Sequence, residues 1–305
     1  MLRRVGGMRR APALVAVGAA GWLLAGCALP AGIDGDLTSG WAAMPETEVF
    51  TPRSGVCHGD GYQSSSSVAA YQPIDCRLPH LRETVHVGEF TGSAADRNTP
   101  PREGSSQWRR AYRQCDRAAE EYLGANFRHA RLWLGVTVPR PEAWESGARW
   151  YGCEVLLLDE ETLVERGRAG SLAGALIDEP ELRLGCFEAS VDDSGVVDTM
   201  TPIGCDQTHQ AEYVGLWEAP DGDYLDSAVD TQSDLVYQGC REQVAAYVGV
   251  PVDADLAFRT GAIADWMEPE DWANGDRKFR CYLWLNGEDL TGSLEGQGVD
   301  ALPVR

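Results

Sequence analysis

The residues best suited to acid–base chemistry are two His-x-x-Glu pairs, His80 with Glu83 and His209 with Glu212. On a turn, two residues three apart can meet, so the histidine could act as a base that the glutamate orients. No serine or free cysteine repeats beside both pairs as a nucleophile, and a hydrolytic triad is therefore not indicated. The simpler interpretation is structural, in which each histidine satisfies backbone groups at a turn.

Cysteines precede both pairs, and the Cys-x3-His spacing of Cys76 with His80 is one that a zinc ion could use. An even number of cysteines at repeated spacing in an exported chain instead favours disulfides, and we expect no cofactor. Each half allows three pairings. We favour first with second, across a β-hairpin, and third with fourth, between a helix and the last strand. The eight cysteines are Cys57, Cys76, Cys115, Cys153, Cys186, Cys205, Cys240 and Cys281.

The second half of the chain repeats the first at an offset of 125 to 129 residues. The repeat includes the four cysteines, the His-x-x-Glu pair, a Tyr-x-Gly sequence and a Pro-x2-Trp-x2-Gly-x-Arg-x3-Cys segment. The tryptophans of this segment, Trp144 and Trp272, could stack on a sugar ring or a peptide proline if they were exposed. The plainer interpretation is that they fold back over a helix–strand junction. Arg149 and Arg277 follow them and are the expected partners of the two glutamates.

Both halves show the same order of hydrophobic patterns, with β-forming runs on either side of a helical period. We predict an α+β fold of tandem duplicated ββαββ modules, each with two disulfides. Segment 159–184 has no counterpart within either module and is predicted to be a linker. The predicted strands are 68–72, 84–90, 131–138, 150–158, 196–202, 213–217 and 279–285, and the helices are 107–123 and 233–248. The predicted modules are 51–158 and 185–290, followed by a C-terminal tail at 291–305.

The first 26 residues have the pattern of an export signal. Four arginines precede an apolar run at 11–25, which is too short to span a membrane. The run ends in Leu24-Ala25-Gly26-Cys27, a lipid-attachment box. We therefore expect residues 1–26 to be removed, Cys27 to carry acyl chains such as palmitate, and 27–50 to be a tether. The chain would then lie on the extracytoplasmic face of the cell membrane.

The chain is strongly acidic, with a formal net charge of −21. Removal of the four signal arginines lowers this charge further. Nucleic acid and anionic lipid headgroups are poor partners for such a field. The expected partners are the membrane, through the lipid anchor, and an envelope protein or cell-wall polymer.

Two motifs resemble those of the actinobacterial septum formation family. The run from Cys76 to Glu83 fits a Cys-x2-Pro-His-x2-Glu turn, and its second copy departs from the pattern at Thr208. The second motif is the Trp/Gly segment that leads to the last cysteine. The resemblance covers about 57–158 and 186–288. It implies an association with septum formation and cell-envelope processes, and it carries no enzymatic activity.

The leading hypothesis is a non-enzymatic binding or scaffold lipoprotein of the cell envelope. One alternative is a metal-assisted hydrolase that uses His80 with Glu83 and His209 with Glu212. Another is a sensor that modulates an envelope protease or kinase.

Overall fold

The computed structural model describes residues 48–159, 163–193 and 195–304. Predictions about the export signal, Cys27 and most of the tether therefore lie outside the described residues. The described residues after Glu48 belong to one compact unit. Within the described ranges, no helix is both long and apolar enough to cross a membrane.

The first half builds a six-stranded sheet with one long helix on it. Its elements are β1 (Val56–His58), β2 (Ser65–Ser66), β3 (Pro73–Ile74), β4 (Arg82–Glu89), α1 (Ser106–Leu123), β5 (Leu132–Pro139), α2 (Pro141–Glu145) and β6 (Trp150–Leu157). The strand order is β2-β5-β6-β4-β1-β3. Only β2 with β5 is parallel. Helix α1 buries Trp108, Ala111, Cys115 and Ala119, which recur at helical spacing, against the sheet.

The second half builds a five-stranded sheet with its own long helix. Its elements are α3 (Ala175–Asp178), β7 (Cys186–Val191), β8 (Val197–Ile203), β9 (Ala211–Glu218), α4 (Asp230–Val248), α5 (Leu256–Arg259), β10 (Gly261–Asp265), α6 (Pro269–Asn274) and β11 (Lys278–Trp284). The strand order is β10-β11-β9-β7-β8. All of its strand pairs are antiparallel.

The two sheets have the same strand order once β2 is set aside, since β5-β6-β4-β1-β3 corresponds to β10-β11-β9-β7-β8. Each sheet also has a bulge at the equivalent place, beside Val85 in β4 and Val214 in β9. Both long helices end at a glycine with positive φ, Gly124 and Gly249. At such a position, glycine avoids the strain that a side chain would add. The mixed helix and sheet class was thus predicted correctly.

Three details of the predicted elements were wrong. Four strands precede the long helix in the first half and three in the second, instead of two in each. One of them carries the first cysteine, since Cys57 is in register with both Ile74 and Glu83. The predicted strand at 68–72 is a turn closed by the Ser67 carbonyl, and Tyr71 packs its ring against His58. The Trp/Gly loops begin as the short helices α2 and α6, each with proline at its first turn.

Buried polar contacts hold the two halves together around Arg128. Its guanidinium donates to Asp276 Oδ2 and to Asp116 Oδ1, both at 2.6 Å. Tyr112 donates to the same Asp276 oxygen at 3.1 Å. From the second half, Arg280 donates to three backbone carbonyls of the first, those of residues 128, 130 and 132. Charge-assisted hydrogen bonds in a buried setting are the stronger kind, so this junction holds the halves in one orientation.

The eight cysteines of the described ranges form four disulfides, first with second and third with fourth in each half, which is the favoured pairing. The bonds are Cys57–Cys76, Cys115–Cys153, Cys186–Cys205 and Cys240–Cys281. The first of each pair of bonds closes the β-hairpin. The second ties the long helix to the last strand of its half.

We predict that the denatured, non-reduced protein offers none of these eight cysteines to alkylation. Replacing Cys115 and Cys153 together by alanine should lower the free energy of unfolding by about 4 kcal/mol, because their bond closes a 38-residue separation. The same change at Cys57 and Cys76, which are 19 residues apart, should cost about 3 kcal/mol. Mass mapping and urea unfolding measure these effects. A free thiol at any of these eight cysteines would contradict the pairing.

Candidate functional site

His80 and Glu83 meet at the start of β4, as the sequence indicates. His80 Nε2 lies 3.0 Å from Glu83 Oε1. Its Nδ1 lies 2.9 Å from the carbonyl oxygen of Leu78, which can only accept, so Nδ1 carries a proton and donates. Both side chains are almost fully buried. The histidine thus satisfies the backbone of its turn while it holds the glutamate.

Glu83 also accepts from two other parts of the chain. The backbone N–H of Leu172 donates to Oε1 at 2.7 Å. The hydroxyls of Tyr122, near the end of α1, and Ser171 donate to Oε2, each at 3.0 Å. Burial raises the pKa of Tyr122 to about 12, so its phenol keeps the proton that it donates. One carboxyl group therefore joins the turn, the helix end and the segment after β6.

The second half contains the same network. His209 Nε2 lies 3.1 Å from Glu212 Oε1, and Nδ1 lies 2.8 Å from a turn carbonyl, that of Gln207. Leu294 N donates to Oε1 of the glutamate at 3.0 Å. The remaining donors to Oε2 are the hydroxyls of Tyr247 and Ser293, each at 2.9 Å. Burial raises the pKa of this tyrosine as well.

A short segment after the last strand of each half returns to the glutamate. Its sequence is Gly-Ser-Leu-x-Gly, at 170–174 in the first half and at 292–296 in the second. Ahead of it, His80 forms a backbone bridge with Arg168, and His209 forms one with Leu290. Segment 159–184, predicted to be a linker without counterpart, therefore contains a stretch that does have one, at 292–296. The five-residue motif is visible in the sequence, but it recurs at an offset of 122, outside the range of the other repeats.

The metal interpretation has geometric support, but the ligand atoms have other uses. Potential ligand atoms of Cys57, His80 and Glu83 lie within 4.8 Å of one another, as do those of the equivalent second trio. The cysteine of each trio is in a disulfide, so it offers no thiolate. One histidine nitrogen donates to a carbonyl, and the other faces the glutamate. These residues therefore fit a hydrogen-bonded structural network better than a metal-assisted hydrolase.

Trp144 and Trp272 are also inside the protein, with 1% and 6% of their surface exposed. Arg149 lies over the ring of Trp144 at 4.2 Å, and Arg277 lies over Trp272 at 3.9 Å. Each arginine also donates to the carbonyl of its tryptophan. The expectation that these arginines pair with the buried glutamates was wrong, because the neighbouring indole binds each of them. All six candidate binding residues are buried, so none presents a contact surface to a ligand.

The two sheets differ on the face that their long helices do not cover. In the first half, His58 Nε2 lies 2.9 Å from Thr84 Oγ1, which donates to Glu154. Arg82 donates to the same carboxyl group and to Asp60. The equivalent positions of the second half hold the apolar and aromatic residues Phe187, Ala211, Tyr213 and Tyr282. Sequence reasoning missed this cluster, although the lack of a second-half histidine at 187 is a visible sign of it.

The His58 cluster has perturbed proton affinities. Burial, together with the positive charge of Arg82, lowers the pKa of His58 to about 4. Burial raises the pKa of Glu154, although Arg82 and Thr84 oppose the shift. A buried neutral histidine beside a buried glutamate is sensitive to pH, because the folded and unfolded chains bind protons differently.

The fold and these sites define a disulfide-stabilised α+β protein with two equivalent histidine–glutamate networks. The family model described as Septum formation matches residues 54–281, which is most of the chain. The chain belongs to this family, as the sequence resemblance predicted. Comparison with curated proteins and with solved structures finds no match.

We predict that Glu83→Ala lowers the free energy of unfolding by about 3 to 5 kcal/mol, because it leaves several buried donors without an acceptor. Glu212→Ala should cost a similar amount. The matched control is Glu89→Ala, an exposed glutamate of β4, which should change stability by less than about 0.5 kcal/mol. Urea unfolding at neutral pH measures all three variants. A Glu83→Ala protein as stable as the control would show that the network contributes nothing.

The stability of the folded protein should also depend on pH through His58. Because His58 titrates near 4 in the folded protein and at its ordinary 6.5 when unfolded, it should remove up to about 3 kcal/mol of stability as pH falls from 6.5 to 4. His58→Phe, which copies the residue of the second half, should remove this loss. The raised pKa of Glu154 acts in the opposite direction and remains in both proteins. The test compares urea unfolding of the two at pH 7 and pH 4.5. Parallel pH profiles would contradict the assignment.

Proposed function

We propose that this chain is a lipid-anchored protein on the extracytoplasmic face of the cell membrane, with a binding or scaffold role in septum formation or cell-wall processes. Family membership supports the envelope role. The observation that carries the proposal is the use of the cysteines. Eight are paired in disulfides, which persist in oxidising compartments, and the ninth, Cys27, stands alone in the lipid-attachment box.

A non-enzymatic role is favoured by the state of the two histidine–glutamate networks. Their polar atoms bind other parts of the chain, and their side chains are buried. An enzyme needs its acid or base within reach of a substrate proton. Neither histidine meets that need in this conformation.

We further propose that the two halves are tandem copies of one module. Supporting observations are the shared strand order, the matched disulfides, the matched glutamate networks and the matched return segments. In such a duplication the common features maintain the fold. The residues that differ between the copies are then the place to look for binding.

The anchor is tested by mass mapping of the protein isolated from membranes and by metabolic labelling with palmitate. We expect an N-terminal peptide that begins at Cys27 and carries acyl chains, and we expect Cys27→Ala to lose the label. The control is the paired replacement of Cys57 and Cys76 by alanine, which should keep it. An unmodified Cys27 would contradict the anchor.

Imaging of an epitope-tagged protein tests the septal role, and an even distribution over the envelope would count against it.

A further inference from the structure

We propose that a groove at the junction of the two halves binds the phosphate groups of an anionic ligand. The groove has a volume of about 750 Å³ and lies between α1 and two segments of the second half, 218–222 and 275–278. This volume is within the range of ligand sites in proteins. The inference deepens the proposed binding role and rests on it for its biological setting.

Three arginines of α1 line this groove, and their guanidinium groups have no partner among the described residues. Among the residues that the structure describes, Arg109, Arg110 and Arg113 form no side-chain ion pair or hydrogen bond, and the last two are exposed. Two of the acids that line the groove already have partners of their own. Asp116 binds Arg128 and Lys278, and Asp276 binds Arg128 and Tyr112. The helix therefore presents positive charge that the groove does not neutralise.

The second half adds two further cations on the opposite wall, Arg277 and Lys278. This is unexpected from composition, because residues 185–290 hold only 5 basic residues against 22 acidic ones. Lys278 is also the only lysine of the chain. Opposing charge comes from Glu218 and from Asp221, which is almost fully exposed and lies 3.6 Å from Arg277. Counted without regard to pairing, six cations and four acids line the groove.

The fold does not require arginines at these positions. When the two helices are aligned on Cys115 and Cys240, the arginines of α1 correspond to Asp234, Leu235 and Gln238 of α4. The second helix is as long as the first and packs in the same way without them. Since the same scaffold accepts an acid, an apolar residue and an amide there, the arginines have a use other than stability.

Phosphate is the group that this arrangement suits. A guanidinium presents a planar fork of donors that matches phosphate oxygens, and it gives up water more readily than an ammonium. Arg109 and Arg113 are about one helical turn apart, roughly 6 Å along the axis, so neighbouring phosphates can each meet an arginine. The acidic surfaces elsewhere weaken the attraction little, because charges are screened over about 8 Å at physiological salt. Membrane phospholipid headgroups and soluble phosphate polymers both carry this group.

The test is calorimetric titration of the full folded chain with tripolyphosphate. We expect wild-type protein to bind it, and the double variant R109Q/R113Q to bind at least about tenfold more weakly, since two charge-assisted contacts are lost. The control R53Q/R77Q removes the same charge from two exposed arginines outside the groove and should bind as wild type does. Thermal unfolding and a thiol count confirm that both variants are folded. An equal loss of tripolyphosphate affinity in the two variants, or no binding by the wild-type protein, would overturn the proposal.

Further arms separate the sources of phosphate. A lipid headgroup is supported if the wild-type protein sediments with phosphatidylglycerol vesicles but not with phosphatidylcholine vesicles, and if R109Q/R113Q sediments with neither. Binding of long-chain polyphosphate without vesicle binding supports a soluble polymer. Tighter binding of polyglutamate than of tripolyphosphate would overturn the phosphate assignment. It would indicate that the ligand is an acidic protein surface. If the protein is lipidated and septal but does not bind phosphate, the phosphate proposal fails and the proposed function stands. If it binds phosphate but Cys27 is not acylated, the lipid anchor fails and the phosphate proposal stands.

Discussion

Each half of this protein depends on one buried carboxyl group that has to be satisfied. Glu83 and Glu212 lie on central strands with essentially no exposed surface. A buried carboxylate is costly unless hydrogen bonds replace its water. In each half those bonds come from a histidine before the strand, a tyrosine at the end of the long helix and a returning Ser-Leu segment. The position of the glutamate thereby sets where helix, turn and return segment lie.

The features that the two halves share maintain the fold, whereas the same fold accepts different residues at the positions where the halves differ. Disulfides, strand order and glutamate networks are common to both. The uncovered face of the first sheet holds the His58 cluster, whereas the second holds aromatic residues, and the α1 arginines are replaced by Asp234, Leu235 and Gln238. A shared set of contacts that maintains both halves leaves the remaining surface free to vary. The surfaces on which the two halves differ are therefore the place to test for binding.

Residue spacing predicted the two long helices and allowed His80 to meet Glu83 on a turn, because these features depend on residues that are near in sequence. Together with the predicted hairpin and helix, it favoured the disulfide pairing that the structure contains. The partners of Glu83 could not be predicted, because Tyr122 and Ser171 reach it from 39 and 88 residues away. Strand β1 was missed since three residues are too few to show a period. The negative net charge of the chain gave no sign of the basic groove at the junction, because the acids lie mainly in the second half.

Each buried glutamate holds its return segment through a backbone N–H. Amide hydrogen exchange at Leu172 and Leu294 tests it most directly, since neither N–H belongs to a helix or a strand pair and each donates to its glutamate at 2.7 Å and 3.0 Å. We expect both amides to exchange as slowly as those of the neighbouring central strands. Rapid exchange at both positions while β4 and β9 stay protected would contradict it.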